Sequence, residues 1–277
     1  MGTSRKSILK ALTRATADAF REAVIRLPPD VKRALACAAA METNPVAKGE
    51  FDNIIKNIAL AEKLEVPLCQ DTGVPVVYLT LPPDVPLTTD LYDAVAGGVR
   101  LATSEVPLRP NVVDALTRHN WNDNTGAGMP AIHVKPGEKL TVTLLPKGAG
   151  AENVSRITML LPSQKDGIEK FVVETMLLAE GRPCPPVVLG VGIGGTFDGA
   201  AALAKEALLL PIDTMTAFEQ QLCDAVNRLG IGPMGLGGDT TALAVKVNVA
   251  ACHTASLPVA VNVQCWACRR ATVEVQR

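Results

Sequence analysis

Three cysteines stand far apart in the chain, each in a short loop of glycine, proline or polar residues. They are Cys69 in Leu68-Cys69-Gln70-Asp71-Thr72-Gly73, Cys184 in Arg182-Pro183-Cys184-Pro185-Pro186, and Cys265 in Asn262-Val263-Gln264-Cys265-Trp266-Ala267. Three thiolates can hold three irons of a four-iron cluster and leave the fourth open, which makes the cluster a Lewis acid instead of an electron carrier. Such a centre suits the removal or addition of water. A lone cysteine is more often a buried apolar thiol. Cys69, however, is followed by Gln70, Asp71 and Thr72, which a dry core does not accept without partners.

Other patterns compete for the chemistry. Cys265 and Cys268 form a C-x-x-C pair, as in a zinc site or a redox dithiol, but a structural zinc needs two further ligands at similar spacing and the sequence offers none. Gly190-x-Gly192-x-x-Gly195 matches the dinucleotide fingerprint, with a strand before it, a helix after it and Asp213 about 20 residues on. The same glycines would equally let a bulky inorganic group approach the backbone. Arg109, in Leu108-Arg109-Pro110-Asn111, could fork onto a carboxylate or serve as a surface ion pair. His253 precedes a strand that ends in a candidate ligand and reads otherwise as an ordinary loop histidine. His119 and His133 show no partner spacing and read as structural.

The chain has 277 residues, 27 Lys plus Arg against 28 Asp plus Glu, and 48% hydrophobic residues. Near-neutral charge gives no reason to expect nucleic acid or an anionic membrane as partner. Every apolar run is broken by Pro, Gly or charge well short of the roughly 20 residues of a membrane span. The start Met1-Gly2-Thr3-Ser4-Arg5-Lys6 is basic but continues into Lys10, Arg14 and Asp18, without the apolar region or cleavage site of a signal peptide, so a cytoplasmic location is expected. Seven cysteines, an odd number, favour thiols used for metal chemistry or burial over a disulfide framework. Cys37 and Cys223 lie in helical patterns and read as inert core residues.

The elements that must position these residues follow from periodicity. Residues 6–27 carry apolar side chains at helical spacing up to Pro28-Pro29; Asp30 then reads as the cap of a second helix ending near Asn44-Pro45, and a third spans about 48–64. Val74 to Leu81 reads as a strand and 90–102 as a helix. Thr141 to Leu145 and Ile157 to Leu161 are short strand candidates around the Lys147-Gly148-Ala149-Gly150 loop. Helices are expected at 167–179, 199–210 and 214–228. Val245, Val247 and Val249, then Val259, Val261 and Val263, alternate with polar residues as two half-buried strands joined by the loop of Cys252, His253 and Thr254. The expected fold is α+β, with a helical N-terminal part and short, mostly antiparallel sheets surrounded by helices, in a single domain over residues 1–277.

Taken together, the loops resemble the α-type subunit of the iron-sulfur hydro-lyases, the family of class I fumarases and L-tartrate dehydratases. The matching stretches run in order along nearly the whole chain: Cys69 to Gly73, Arg109-Pro110-Asn111, Asn124-Thr125-Gly126-Ala127-Gly128, Lys147 to Gly150, Pro185 to Asp198, Gly230 to Gly238 and His253 to Arg270. Two features depart from the family's pattern. Cys268 adds a second thiol to the third loop, so Cys265 and Cys268 both stand as ligand candidates, with the position between the strand and Trp266 favouring Cys265. Ala149 and Ala151 replace residues that are often Gly and Ser.

The resemblance implies a [4Fe-4S] cluster on Cys69, Cys184 and Cys265, with one iron not ligated by protein and open to the carboxylate and hydroxyl of a substrate. It implies that Gln70, Asp71, Arg109, Gly148 and His253 surround a small dicarboxylic acid, with Asp71 and His253 as catalytic groups and Gln70, Arg109 and Gly148 as substrate-binding ones. It also implies that the base removing the carbon-bound proton belongs to a β-type domain, fused in some members and a separate subunit in others. A β subunit is therefore the expected partner, in a hetero-oligomer such as α2β2. Fumarate hydration to L-malate is the leading expectation and L-tartrate dehydration the alternative; a nucleotide-binding oxidoreductase built on the Gly190 loop and a non-catalytic scaffold for a β partner are the more distant rivals.

Overall fold

A computed structural model describes residues 5–276; the stretch Met1–Ser4 of the basic start lies outside the described residues. The chain folds as two compact units, each assembled from separated stretches of sequence. Among the described residues, no helix is long and apolar enough to cross a membrane.

The first unit comprises residues 1–27, 58–148 and 269–277. Its sheet has the order β2-β1-β3-β8, with β1 (Val74–Leu81) parallel to β2 (Ala131–Pro136) and antiparallel to β3 (Thr141–Lys147), and with β8 (Ala271–Glu274) antiparallel to β3. Helix α1 (Arg5–Ile25) packs along α4 (Thr89–Glu105) and against β3 and β8. The apolar stripe of α1 explains this: Leu12, Ala19, Phe20 and Val24 are fully buried with Val77, Leu79, Val95, Val99 and Leu144 in one core. Gly98 makes the helix crossing possible, because a Cβ there would stand 2.4 Å from Cβ of Thr16.

The second unit comprises residues 28–57 and 149–268. Its sheet has the order β4-β7-β5-β6: β4 (Arg156–Leu160), β7 (Leu257–Gln264), β5 (Val187–Gly195) and β6 (Ala242–Cys252). β7 runs antiparallel to both neighbours, and β5 is parallel to β6. On one face Val187, Leu189 and Val191 of β5 bury against Phe171 and Met176 of α6 (Gly167–Ala179) and Leu222 and Val226 of α8 (Ala217–Asn227). On the other face lies α7 (Phe197–Ala207), so close that a Cβ at Gly190 would stand 2.0 Å from the Ala204 carbonyl oxygen and one at Gly192 2.1 Å from that of Ala200.

That contact corrects two expectations. Gly190 and Gly192 lie inside a strand, and a helix fills the space over them, so these glycines serve neither a nucleotide phosphate nor an inorganic group. The valine alternation in β7 also misleads: the strand is not half-buried, since every residue from Pro258 to Gln264 is buried, and β5 separates it from β6. A central strand covered by helices on both faces keeps polar Asn262 and Gln264 inside.

Two smaller corrections share one cause, the polar side chains at helix ends. α2 (Pro29–Met41) has Asp30 in its first turn, not as its cap, and the carboxylate accepts a hydrogen bond from Ile212 N at 3.0 Å. Asn44 does not end α2; its Oδ1 accepts from Val46 N at 2.9 Å and opens α3 (Pro45–Leu64). Cys37, expected in the core, is exposed on α2.

Candidate active site

In the first unit, the Cys69 loop is pinned at both ends. Leu68 is buried, and its N–H donates to the Val24 carbonyl at 2.9 Å at the end of α1. At the other end Gly73 has φ 83°, and a Cβ there would stand 2.8 Å from Lys147 N, so only glycine lets the chain enter β1 beside β3. Between these anchors Cys69 and Gln70 are exposed.

Asp71 turns inward. Its Oδ1 accepts from Gly73 N at 3.0 Å and from Asn111 Nδ2 at 3.1 Å. Thr72 is buried, and its hydroxyl donates to the Arg109 carbonyl at 3.3 Å and accepts from Arg109 N at 3.1 Å, which locks the two loops backbone to side chain. Asn124, also buried, donates to the Arg109 carbonyl at 3.2 Å and accepts from Asn111 N at 2.7 Å. The Arg109 side chain is exposed and makes no ion pair among the described residues.

Gly148 completes this corner: a Cβ on it would stand 3.1 Å from Asp71 Oδ2 and 3.7 Å from Arg269 Nη2. The structure thus brings the Asp71 carboxylate beside Gly148 and ties the Arg109 backbone to Thr72, the residue after Asp71. Asn111, Asn124 and Arg269 belong to the same corner and were not singled out from the sequence. In the sequence all three stand within stretches that match the family, without a role of their own.

In the second unit, Cys184 sits on a tight turn with φ 54°, its N–H donating to the Gly181 carbonyl at 3.1 Å. The Cys184 carbonyl accepts from Trp266 N at 3.2 Å, so the Cys184 and Cys265 loops are joined directly. The register of β5 and β7, with Val188 opposite Gln264, brings these loops to one end of the sheet. The Gly230–Gly238 loop supports them: Met234 N donates to the Pro185 carbonyl at 2.9 Å, and Gly235 packs on Gly181, where a Cβ would stand 2.6 Å from Gly181 Cα.

His253 is not at that end. It lies in the turn between β6 and β7, beside the Gly195–Cys252 pair, and is separated from Cys265 by the length of β7, roughly 25 Å for eight residues at about 3.3 Å each. Its Nδ1 accepts from Ala255 N at 3.0 Å, and the residue is exposed on the turn. Within this chain His253 and Cys265 do not share a pocket. The remaining histidines are structural: His133 stacks on Tyr78 with ring centroids 4.8 Å apart, and His119 meets Trp121 edge-on at 5.2 Å.

A sequence model of the family described as Fumarate hydratase (Fumerase) matches residues 13–274. The chain belongs to this family. The putative L(+)-tartrate dehydratase subunit alpha of Methanocaldococcus jannaschii is 47% identical over 270 residues, 93% of this chain and 95% of the relative. The L(+)-tartrate dehydratase subunit alpha of Escherichia coli strain K12 is 31% identical over 283 residues, 99% of this chain and 93% of the relative. The fumarase and tartrate dehydratase members are hydro-lyases, and the chain is an α-type subunit of that family.

The family implies an iron-sulfur cluster, and the thiols can be sorted by their surroundings. Cys69 and Cys184 are exposed and Cys265 half-buried, all three on loops. Cys223 and Cys268 are buried, and burial, with the Asp224 carboxylate nearby, pushes the Cys223 thiol up to about 12, far from the thiolate a metal needs. Accessible loop thiols fit a cluster; buried ones do not, so Cys265 fits better than Cys268. Among the described residues, no three His, Cys, Asp or Glu side chains gather as they would around a single ion. A cluster gives each thiolate its own iron, so its ligands stand farther apart than those of one ion.

Proposed function

We propose that this chain is the α half of a [4Fe-4S]-dependent hydro-lyase acting on a four-carbon dicarboxylic acid, with Cys69, Cys184 and Cys265 as the thiolate ligands. Bound there, the cluster would supply a Lewis acid for a hydroxyl leaving group. The observation that carries the reading is that Asp71, next but one to Cys69, lies beside Gly148 while the following Thr72 binds the Arg109 backbone.

Each residue of that corner has a task in handling such a substrate. Arg109 presents a guanidinium fork to one carboxylate, and its main chain is held by Thr72 and Asn124 so that the fork is aimed before substrate arrives. Asp71, oriented by Gly73 and Asn111, accepts a hydrogen bond from the substrate hydroxyl and fixes its direction. Gln70 offers an amide at the exposed loop tip. Gly148 keeps the space beside Asp71 clear of a side chain. His253 receives no step, given its place at the far end of β7. The proton on the adjacent carbon goes to a base on a β-type partner.

Hydration of fumarate to L-malate is the reading adopted for the reaction. Dehydration of L-tartrate is a second reading, supported by the names of the Methanocaldococcus jannaschii and Escherichia coli relatives. The substrates differ by one hydroxyl, and a site built to hydrogen-bond that hydroxyl would discriminate strongly.

The test is anaerobic reconstitution of the full chain with iron and sulfide, addition of the β-type partner, and assay of both reactions. The proposal expects brown cluster absorbance and turnover of at least one substrate, with activity lost in air and restored by ferrous iron and reductant. Absence of turnover on both substrates, or turnover unchanged in Cys69→Ser and Arg109→Ala, would overturn it.

A further inference from the structure

Arg269 is among the largest fully buried side chains of the described residues, 1% exposed. Its guanidinium makes one hydrogen bond, Nη1 to the Asp71 carbonyl at 2.9 Å, while Nε is buried with no partner. It has no ion pair among the described residues. Burial of a cation on so few partners is unfavourable, and an apolar side chain of similar size in such a place is often as stable or more so. Stability therefore does not account for an arginine here.

What the guanidinium touches is the backbone of Asp71, and what it approaches is the Gly148 corner: the point where a Gly148 Cβ would stand is 3.7 Å from Nη2 and 3.1 Å from Asp71 Oδ2. We infer that Arg269 is a positioning residue of the active site, holding Asp71 by its carbonyl and setting a buried positive charge behind the pocket that receives a dicarboxylate. This rests on the hydro-lyase reading above. Arg269 is too buried to touch substrate, so it acts through Asp71 and through its field. The Asp71 carboxylate is held by Gly73 and Asn111, and the peptide behind it by Arg269; both ends of the residue are thus fixed.

The experiment compares Arg269→Met, which keeps length and apolar bulk, with Arg269→Lys, which keeps charge and one donor, in the full chain reconstituted with its β partner. Turnover is counted per cluster-loaded molecule. Because misplacement of a reacting group by about 1 Å can cost a hundredfold, Arg269→Met should lower kcat by about 10- to 100-fold, with KM raised by a smaller factor. Arg269→Lys should recover part of kcat and return KM close to wild type.

Two readouts need neither turnover nor cluster. The thermal midpoint of apo Arg269→Met should equal or exceed that of wild type, and hydrogen exchange at the Asp71–Gly73 amides should quicken while the β1 amides do not change. Wild-type kcat in Arg269→Met overturns the inference. So does a fall in thermal midpoint with loss proportional to unfolding, or failure of Arg269→Met to fold while Arg269→Lys behaves as wild type, since either makes Arg269 an ordinary structural anchor. Wild-type protein inactive on both substrates would instead defeat the hydro-lyase reading, and the exchange result would still decide whether Arg269 holds the Asp71 loop.

Discussion

The two units position their cysteines by different physics. In the first, Cys69 rides on an irregular loop whose neighbours are fixed by side-chain amides and hydroxyls: Thr72 and Asn124 bind the Arg109 carbonyl and Asn111 the Gly73 carbonyl. In the second, Cys184 and Cys265 sit where β5 and β7 end, and strand register with glycine-mediated packing places them. A polar scaffold can be loosened one hydrogen bond at a time, whereas a close-packed one fails as a whole. Mutations in the polar tethers around Cys69 should therefore change chemistry before they change stability, and mutations in the strand and glycine packing behind Cys184 and Cys265 the reverse.

The largest expected effect is in the second unit. Gly192→Val would drive a branched side chain into the Ala200 carbonyl, and overpacking against a rigid helix backbone costs about 3 kcal/mol or more. Calorimetry should show this unit melting far earlier or not folding. A stable Gly192→Val protein would break the contrast.

Next come the thiols themselves. Cys184→Ser should leave the fold intact while iron content and activity collapse. Cys223→Ser should do the opposite, keeping cluster content per folded molecule while the buried hydroxyl costs about 1–3 kcal/mol. Iron and sulfide analysis alongside chemical denaturation checks both.

In the first unit, Asn124→Ala removes the amide joining the Arg109 and Asn111 backbones. Stability should fall by about 1–3 kcal/mol, the usual cost of leaving buried polar groups unmet. KM should rise more than stability alone explains, because Arg109 is no longer aimed. Steady-state kinetics at saturating cluster content checks this.

How much of this was legible beforehand depended on whether the cause was local. α6 and β1 follow the sequence pattern to their end residues, because each has its own apolar periodicity. The α+β class and the predominance of antiparallel pairing were also readable. β2 and β8 were not, since each is short and half-buried at a sheet edge, with a pattern carrying little apolar signal. The glycines of β5 looked like a phosphate loop because their partner, the backbone of α7, is invisible in a spacing rule. Cys69, Asp71, Arg109 and Gly148 could be picked out as loop residues of the right chemistry, but the asparagine lattice and Arg269 join segments far apart in sequence. The place of His253 was hidden for the same reason: twelve residues from Cys265 in the chain, it lies a full strand away in space.

The smallest predicted effect is a titration in the second unit. Thr216 caps α8; the Glu219 carboxylate closes the capping box by accepting from Thr216 N at 2.8 Å and pairs with Lys246 at 3.0 Å. Burial raises its carboxyl, but the Thr216 and Val247 N–H groups and Lys246 outweigh it, and the group stays below its ordinary value. A carboxyl so depressed contributes stability above its unfolded value of about 4.3 and loses it as pH falls through the lower folded value. Glu219→Gln should flatten that acid limb without touching turnover at neutral pH, as denaturation curves across pH would show.

The central claim, three thiolates and one open iron, is tested most directly by Mössbauer spectroscopy of the wild-type protein reconstituted anaerobically with iron-57, before and after addition of L-malate or L-tartrate. The account predicts a four-iron cluster in which one iron of the four changes its environment on substrate addition, and loss of the cluster in Cys69→Ser, Cys184→Ser and Cys265→Ser. Four irons indifferent to either acid, or a cluster that survives each of the three substitutions, would contradict it.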